Sequence, residues 1–166
     1  QRWREQDAAR ALAALDGTLG LDERATTAWE LSRRNDTKAV ALLDKANKIA
    51  SGNADLRHLL GNILAALARV YRKMNEFPFA RTNAEKALKY FREFGDWRGM
   101  AETYREIACA YHQGGNSEKS IEYFNLGIKI IGERNAPFLL GKIYSDMSGA
   151  YWFQRKPQDG IACLEK

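Results

Sequence analysis

The chain has 166 residues, 45% hydrophobic and 28% charged, a balance that supports a continuous buried core and excludes a disordered tail. Lysine and arginine number 26 against 21 acidic residues, and the formal charge of +5 is spread along the chain rather than gathered into a basic stripe, which argues against direct nucleic-acid binding. No run of about 18 apolar residues occurs, so no helical membrane span and no membrane contact by this segment are expected.

In chain order, residues 3–16 form an amphipathic pattern with Ala8, Leu12 and Leu15 on one face, closed by Asp16 and Gly17. Residues 1–20 are therefore expected to be an N-terminal capping helix. From there the chain repeats itself. Tyr71, Tyr111 and Tyr151 are 40 residues apart, and the same interval relates Leu67, Ile107 and Met147, Ala68, Ala108 and Ser148, and Ala80, Ser120 and Gly160. A fixed period in this range marks stacked supersecondary units. The expected units are 21–52, 55–94, 96–134 and 136–166, the last incomplete. The first is the least regular, running through Thr27, Ala28 and Leu31 into Ala39, Leu43 and Ala46. The chain starts at Gln1 and stops inside an expected helix at 161–166, so it reads as a piece of a longer protein.

Within each unit the first helix has apolar residues at i, i+3, i+4 and i+7: Leu64, Leu67, Ala68 and Tyr71, then Tyr104, Ile107, Ala108 and Tyr111, then Tyr144, Met147, Ser148 and Tyr151. The second helix carries a small residue, then a larger apolar or small one, then a small one, and the small side chains let two backbones approach: Ala80, Ala84 and Ala87, then Ser120, Phe124 and Gly127, then Gly160 and Leu164 before the chain stops. Asn35, Asp36, Asn53, Asn75, Asp96, Asn116 and Asn135 are expected to open helices as N-caps. Gly52, Gly95 and Gly114–Gly115 are expected to close them. Pro78, Pro137 and Pro157 fall in first turns, where a missing N–H is harmless. Cys109 and Cys163 sit among apolar neighbours and read as buried thiols.

These residues resemble the tetratricopeptide repeat family, in which a repeat of about 34 residues places a large apolar residue, Leu-Gly or Leu-Ala, and Tyr in the first helix, and Ala, an aromatic and Ala in the second. The matching stretches are Leu64-x-x-Leu67-Ala68-x-x-Tyr71 with Ala80 and Ala87, and Tyr104-x-x-Ile107-Ala108-x-x-Tyr111 with Phe124. The resemblance covers 22–166 and implies an all-α fold, an α-solenoid of antiparallel helix pairs in a right-handed superhelix. Extra helical turns at Lys89 to Phe94 and Ile130 to Arg134 would lengthen the unit to 40, as in the longer-repeat branch. The stretch from Lys86 to Ala101 and the Ala28-Trp29-Glu30-Leu31-Ser32 run are similar to repeats that precede output modules in bacterial signalling proteins.

The resemblance also implies that first helices line a groove. Projecting the helical period places Trp29 and Arg33 on its non-packing face, then Asn62, Ala65, Arg69 and Arg72, then Glu102, Arg105, Cys109 and His112, then Lys142, Ser145 and Trp152. Arginines suit carboxylates, so a protein or peptide partner of acidic character is expected. The competing reading pairs these arginines with Glu102, Glu106 or Asp146 across adjacent helices, and makes Trp29 and Trp152 core or end-cap residues. Binding of chaperone tails is disfavoured, because Ala25, Trp29 and Ala66 stand where the family's carboxylate clamp has lysine and asparagine.

No phosphate loop, dinucleotide fingerprint, Cys-x-x-Cys or His-Glu-x-x-His is present, so neither catalysis nor a metal or other cofactor is expected. The functional expectation is a non-catalytic binding module in the sensing part of a bacterial signalling protein, with a passive assembly scaffold as the alternative. Self-association through Ile161 and Leu164 is a further expected property. The thiols favour the cytoplasm, with an extracytoplasmic sensor domain as the other possibility.

Overall fold

A computed structural model describes residues 59–165, together with 44, 47, 48, 51 and 52. The expected capping helix and most of the first repeat, including Trp29 and Arg33, lie outside the described residues. Among the described residues the regular secondary structure is all helical: 44, 47, 48 and 51 are helical, and six helices follow, α1 Leu60–Lys73, α2 Phe77–Glu93, α3 Trp97–Gln113, α4 Ser117–Ile131, α5 Pro137–Phe153 and α6 Pro157–Leu164. The chain divides into two compact units, Gln1–Tyr90 and Phe91–Lys166.

In the first unit, α1 buries Leu60, Ile63, Leu64, Leu67, Ala68 and Val70. The Tyr71 ring stacks on Phe79 of α2 at 5.4 Å, so the repeated tyrosine fills the space beside the turn. Ala80, Ala84 and Ala87 of α2 are buried, as their small size and spacing predict.

In the second unit, α3 packs on α4, α4 on α5 and α5 on α6, while α3 also meets α5. Ala101, Ala108, Phe124, Ile131, Leu139, Ile143, Met147, Ala150 and Cys163 form one cluster. Phe124 is wholly buried, so this aromatic is the wedge between α3, α4 and α5. Gly127 stands where a Cβ would come within 3.3 Å of Ile143 and 3.4 Å of the Ala101 carbonyl, which accounts for a small residue there. Cys163 is buried and Cys109 half-buried, and neither is in a disulfide.

Four turns share one geometry. Asn75, Gly95, Gly115 and Arg155 all have positive φ, between 59° and 85°. In each turn this residue's N–H donates three residues back and the next N–H donates five residues back, reaching Tyr71, Phe91, Tyr111 and Tyr151. That is a Schellman closure, which satisfies the last carbonyls of the preceding helix. The repeated aromatic thus also supplies the carbonyl that ends its helix.

Two expectations about caps are corrected here. Asp96 and Asn116 do open helices, accepting from the N–H groups of Gly99 at 2.8 Å and Lys119 at 3.0 Å. Asn75 does not. It takes the left-handed position that closes α1, where asparagine is tolerated better than most residues. Asn135 is displaced as well, because Ala136 occupies the cap before Pro137 and gives no side-chain hydrogen bond. Pro137 and Pro157 occupy first turns, and Pro78 lies one residue inside α2. The extra turn expected at 89–94 is helical to Glu93, whereas the one at 130–134 ends at Ile131, since Gly132 breaks the helix with φ 54°.

Candidate partner-binding face

The burial pattern of residues 61–70 in α1 recurs position for position at 101–110 in α3. Within it, Asn62, Ala65 and Arg69 are half-buried, as are Glu102, Arg105 and Cys109; Arg72 and His112 are also half-buried near the helix ends. On α5 the corresponding residues open further, with Lys142, Ser145 and Trp152 exposed. The residues projected onto one face are therefore the ones that the packing leaves accessible on each of these helices.

Arg105 is the best-defined of them. Its Nε–H donates to Oδ2 of Asp146 on α5 at 2.6 Å, and its Nη1 lies 3.6 Å from Oε1 of the buried Glu106. Burial works against the guanidinium charge, but Asp146, Glu106 and Cys109 outweigh it and hold the Arg105 pKa above its ordinary value. The Cys109 thiol donates to the same Asp146 oxygen at 3.5 Å. With two carboxylates beside it, Arg105 adds little net positive charge to the face, in line with the cross-helix pairing weighed for these arginines.

Between α3 and α5 lies a surface cavity of about 630 Å³ lined by Arg105, Pro137, Phe138, Gly141, Lys142, Ser145 and Asp146. The Lys142 ammonium sits 4.3 Å from the centre of the Phe138 ring, a cation–π contact on an exposed surface. At the other end of α5, His112 meets Phe153 edge to face at 5.5 Å, and its Nδ1 lies 3.4 Å from Ser117 Oγ. Trp152 is 54% exposed and lies over Gly160, where a Cβ would come within 3.0 Å of its indole nitrogen.

Phe138 and Phe153 border this face and escaped the helical projection. One signal pointed to them. They stand 40 residues after Arg98 and Gln113, so each replaces a polar residue of the preceding unit. Among the described residues no group of three or more His, Cys, Asp or Glu could hold a metal ion, and no helix is long and apolar enough to cross a membrane. The arrangement offers apolar rings, cations and hydrogen-bonding groups on accessible helix faces, which is the chemistry of recognition.

Stacked helix pairs with Schellman turns and a buried small-residue face define an all-α, solenoid-type repeat protein. Residues 59–131 match the family described as the tetratricopeptide repeat. Such repeats mediate protein–protein interaction, and the fold is typically non-catalytic. Among solved structures, the fold is similar to BtubC (BKLC) from P. vanneervenii, with 16% identity and TM-score 0.73, covering 99% of this chain and 71% of that one. A Podosopora anserina putative kinesin light chain with nearly identical TPR-like repeats aligns with 18% identity and TM-score 0.62, covering 99% and 92%. MamA MSR-1 C2 aligns with 14% identity and TM-score 0.59, covering 98% and 91%. No curated protein matches the sequence.

Proposed function

We propose that this chain is a peptide-binding module whose partner is read by the accessible first-helix faces of its repeats. The observation that carries this reading is the recurrence of half-buried positions Asn62, Ala65 and Arg69 as Glu102, Arg105 and Cys109, with Lys142 and Ser145 following on α5. Repetition in the core follows from packing alone. Repeated partial exposure of long polar side chains on one face leaves them available to a partner without disturbing the core. Arg69, Arg72 and Lys142 favour an acidic peptide, with Trp29, Arg33, His112 and Trp152 as further contacts and no nucleic acid or cofactor involved.

The resemblance of the Lys86 to Ala101 stretch to repeats of bacterial signalling proteins supports a sensing role, and the thiols favour the cytoplasm, with an extracytoplasmic sensor domain as the alternative location. Peptide occupancy would be passed to an output module by preferring one arrangement of the repeats over another. The second reading is a passive scaffold, which holds partners together without switching and needs only the accessible first-helix faces. The test is binding of an array of acidic 12-residue peptides to the wild type and to a variant carrying Arg69→Glu, Arg72→Glu and Lys142→Glu. Loss of acidic-peptide binding in the variant supports the reading, and equal binding overturns it. X-ray scattering with a saturating peptide separates the two roles, because an unchanged profile means scaffold.

A further inference from the structure

The repeat register sorts the exposed apolar side chains into two kinds. Leu164, 61% exposed, stands one repeat after Phe124, which packs in the cluster that includes α5, and Ile161 stands one repeat after the half-buried Ile121. A helix pair stacked on α5 and α6 would cover both, as α5 covers Phe124. Phe138 and Phe153 are of the other kind. Their counterparts Arg98 and Gln113 remain exposed although α5 and α6 follow α3 and α4. A further stacked pair would therefore leave Phe138, 71% exposed, and Phe153, 73% exposed, in water.

The accessible face of α5 reads alike in both chain directions about Ser145. Phe138 and Trp152 lie seven residues to either side of it, and Gly141 and Gly149 four residues to either side. Seven-residue spacing is the seam along which two helices pack. Two antiparallel copies crossing at Ser145 would set Phe138 against Trp152 at both ends, about 21 Å apart, with glycines on both sides of the centre. A Cβ at Gly141 would meet nothing within 4 Å, so the space above it is open. Charge agrees with this pairing. Along the axis Lys142 would fall about 3 Å from the second copy's Asp146 but about 9 Å from the second copy's Lys142.

We propose that this face of α5 binds a second copy of the chain, α5 against α5, in a two-fold dimer centred on Ser145. The proposal rests on the reading of first-helix faces as interaction surfaces, and on α5 the second copy and an acidic peptide would compete for Lys142, Ser145 and Trp152. Such an interface is isologous, so each contact is made twice.

Sedimentation equilibrium of the wild type and of Gly141→Trp tests it, with circular dichroism as the check that the open site tolerates the indole. The expected result is a dimer that Gly141→Trp weakens at least tenfold. In a second arm, Ser145→Cys is oxidised by dissolved oxygen; it should form a covalent dimer, while the wild type, with Cys109 and Cys163 only, should not. A monomer at every concentration, or a dimer indifferent to Gly141→Trp, would overturn the proposal. A dimer abolished by Leu164→Glu but not by Gly141→Trp would also overturn it, by moving the interface to the stacking surface. Acidic-peptide binding through Arg69 and Arg72 is read separately in Gly141→Trp, so failure of the dimer and failure of the peptide reading remain distinct.

Discussion

Arg105 of α3 and Asp146 of α5 are joined by a hydrogen-bonded ion pair of 2.6 Å, which ties together the first helices of two successive repeats. The side chains are 22% and 33% exposed, so the pair is shielded on one side and wet on the other. It therefore contributes more than a fully exposed pair yet avoids the desolvation cost of a buried one. Asp146→Ala is expected to lower unfolding free energy by about 1 kcal/mol. A double-mutant cycle with Arg105→Gln in urea should return most of that as coupling; additive losses would mean that the contact contributes no specific stability.

Arg155 holds a left-handed conformation with φ 59°, at a position where two other turns have glycine. A side chain there costs about 1–2 kcal/mol, part of which glycine returns to the unfolded chain as entropy. Arg155→Gly should stabilise the fold by about 0.5 kcal/mol, and Gly115→Ala, at φ 85°, should destabilise it by about 1 kcal/mol. Opposite shifts in thermal midpoint check the pair.

The Ser120 hydroxyl is fully buried and has no hydrogen-bond partner among the described residues. Its counterpart one repeat earlier is Ala80, also buried. Removing an unsatisfied hydroxyl relieves its desolvation, so Ser120→Ala should raise stability by about 1 kcal/mol, in contrast to Phe124→Ala, which should lower it by about 3–5 kcal/mol. Denaturant midpoints for the two variants should move in opposite directions.

Alkaline pH should loosen the array through its repeated tyrosines. Burial, then Asp44 and Glu76, raise the pKa of Tyr71 above 10.0, and burial, then Cys163 and Asp159, do the same for Tyr151. Each phenol stays neutral to higher pH when folded than when unfolded. Its contribution is thus complete below about pH 10 and lost as pH rises through the folded pKa. Melting temperatures between pH 8 and 11.5 should fall less steeply for the Tyr71→Phe, Tyr151→Phe double variant than for the wild type.

The helix pairs were legible because their cores are built by local repetition: Leu67, Ile107 and Met147, or Ala80, Ser120 and Gly160, fill equivalent sites at equal spacing. Caps were less legible. Asparagine serves both to open a helix, as Asn116 does, and to occupy a left-handed closing position, as Asn75 does; composition does not distinguish the two. Spacing within one helix reached the polar residues of the accessible face. It did not single out Asp146 as Arg105's hydrogen-bond partner, because that choice depends on side chains 41 positions apart meeting across α3 and α5. Phe138 and Phe153 needed comparison between repeats, since what marks them is the polar identity of Arg98 and Gln113 at the same positions.

The central claim, that partners are read by the first-helix faces, is tested most directly by backbone amide shift mapping. The probe is the tightest 12-residue peptide selected from a random display library against the chain. Perturbations should cluster at Asn62, Arg69, Arg72, Arg105, His112, Lys142 and Ser145, one face of each first helix at 40-residue intervals. Perturbations confined to the exposed faces of α2 and α4, around Glu85, Lys86, Glu122 and Asn125, would contradict the account.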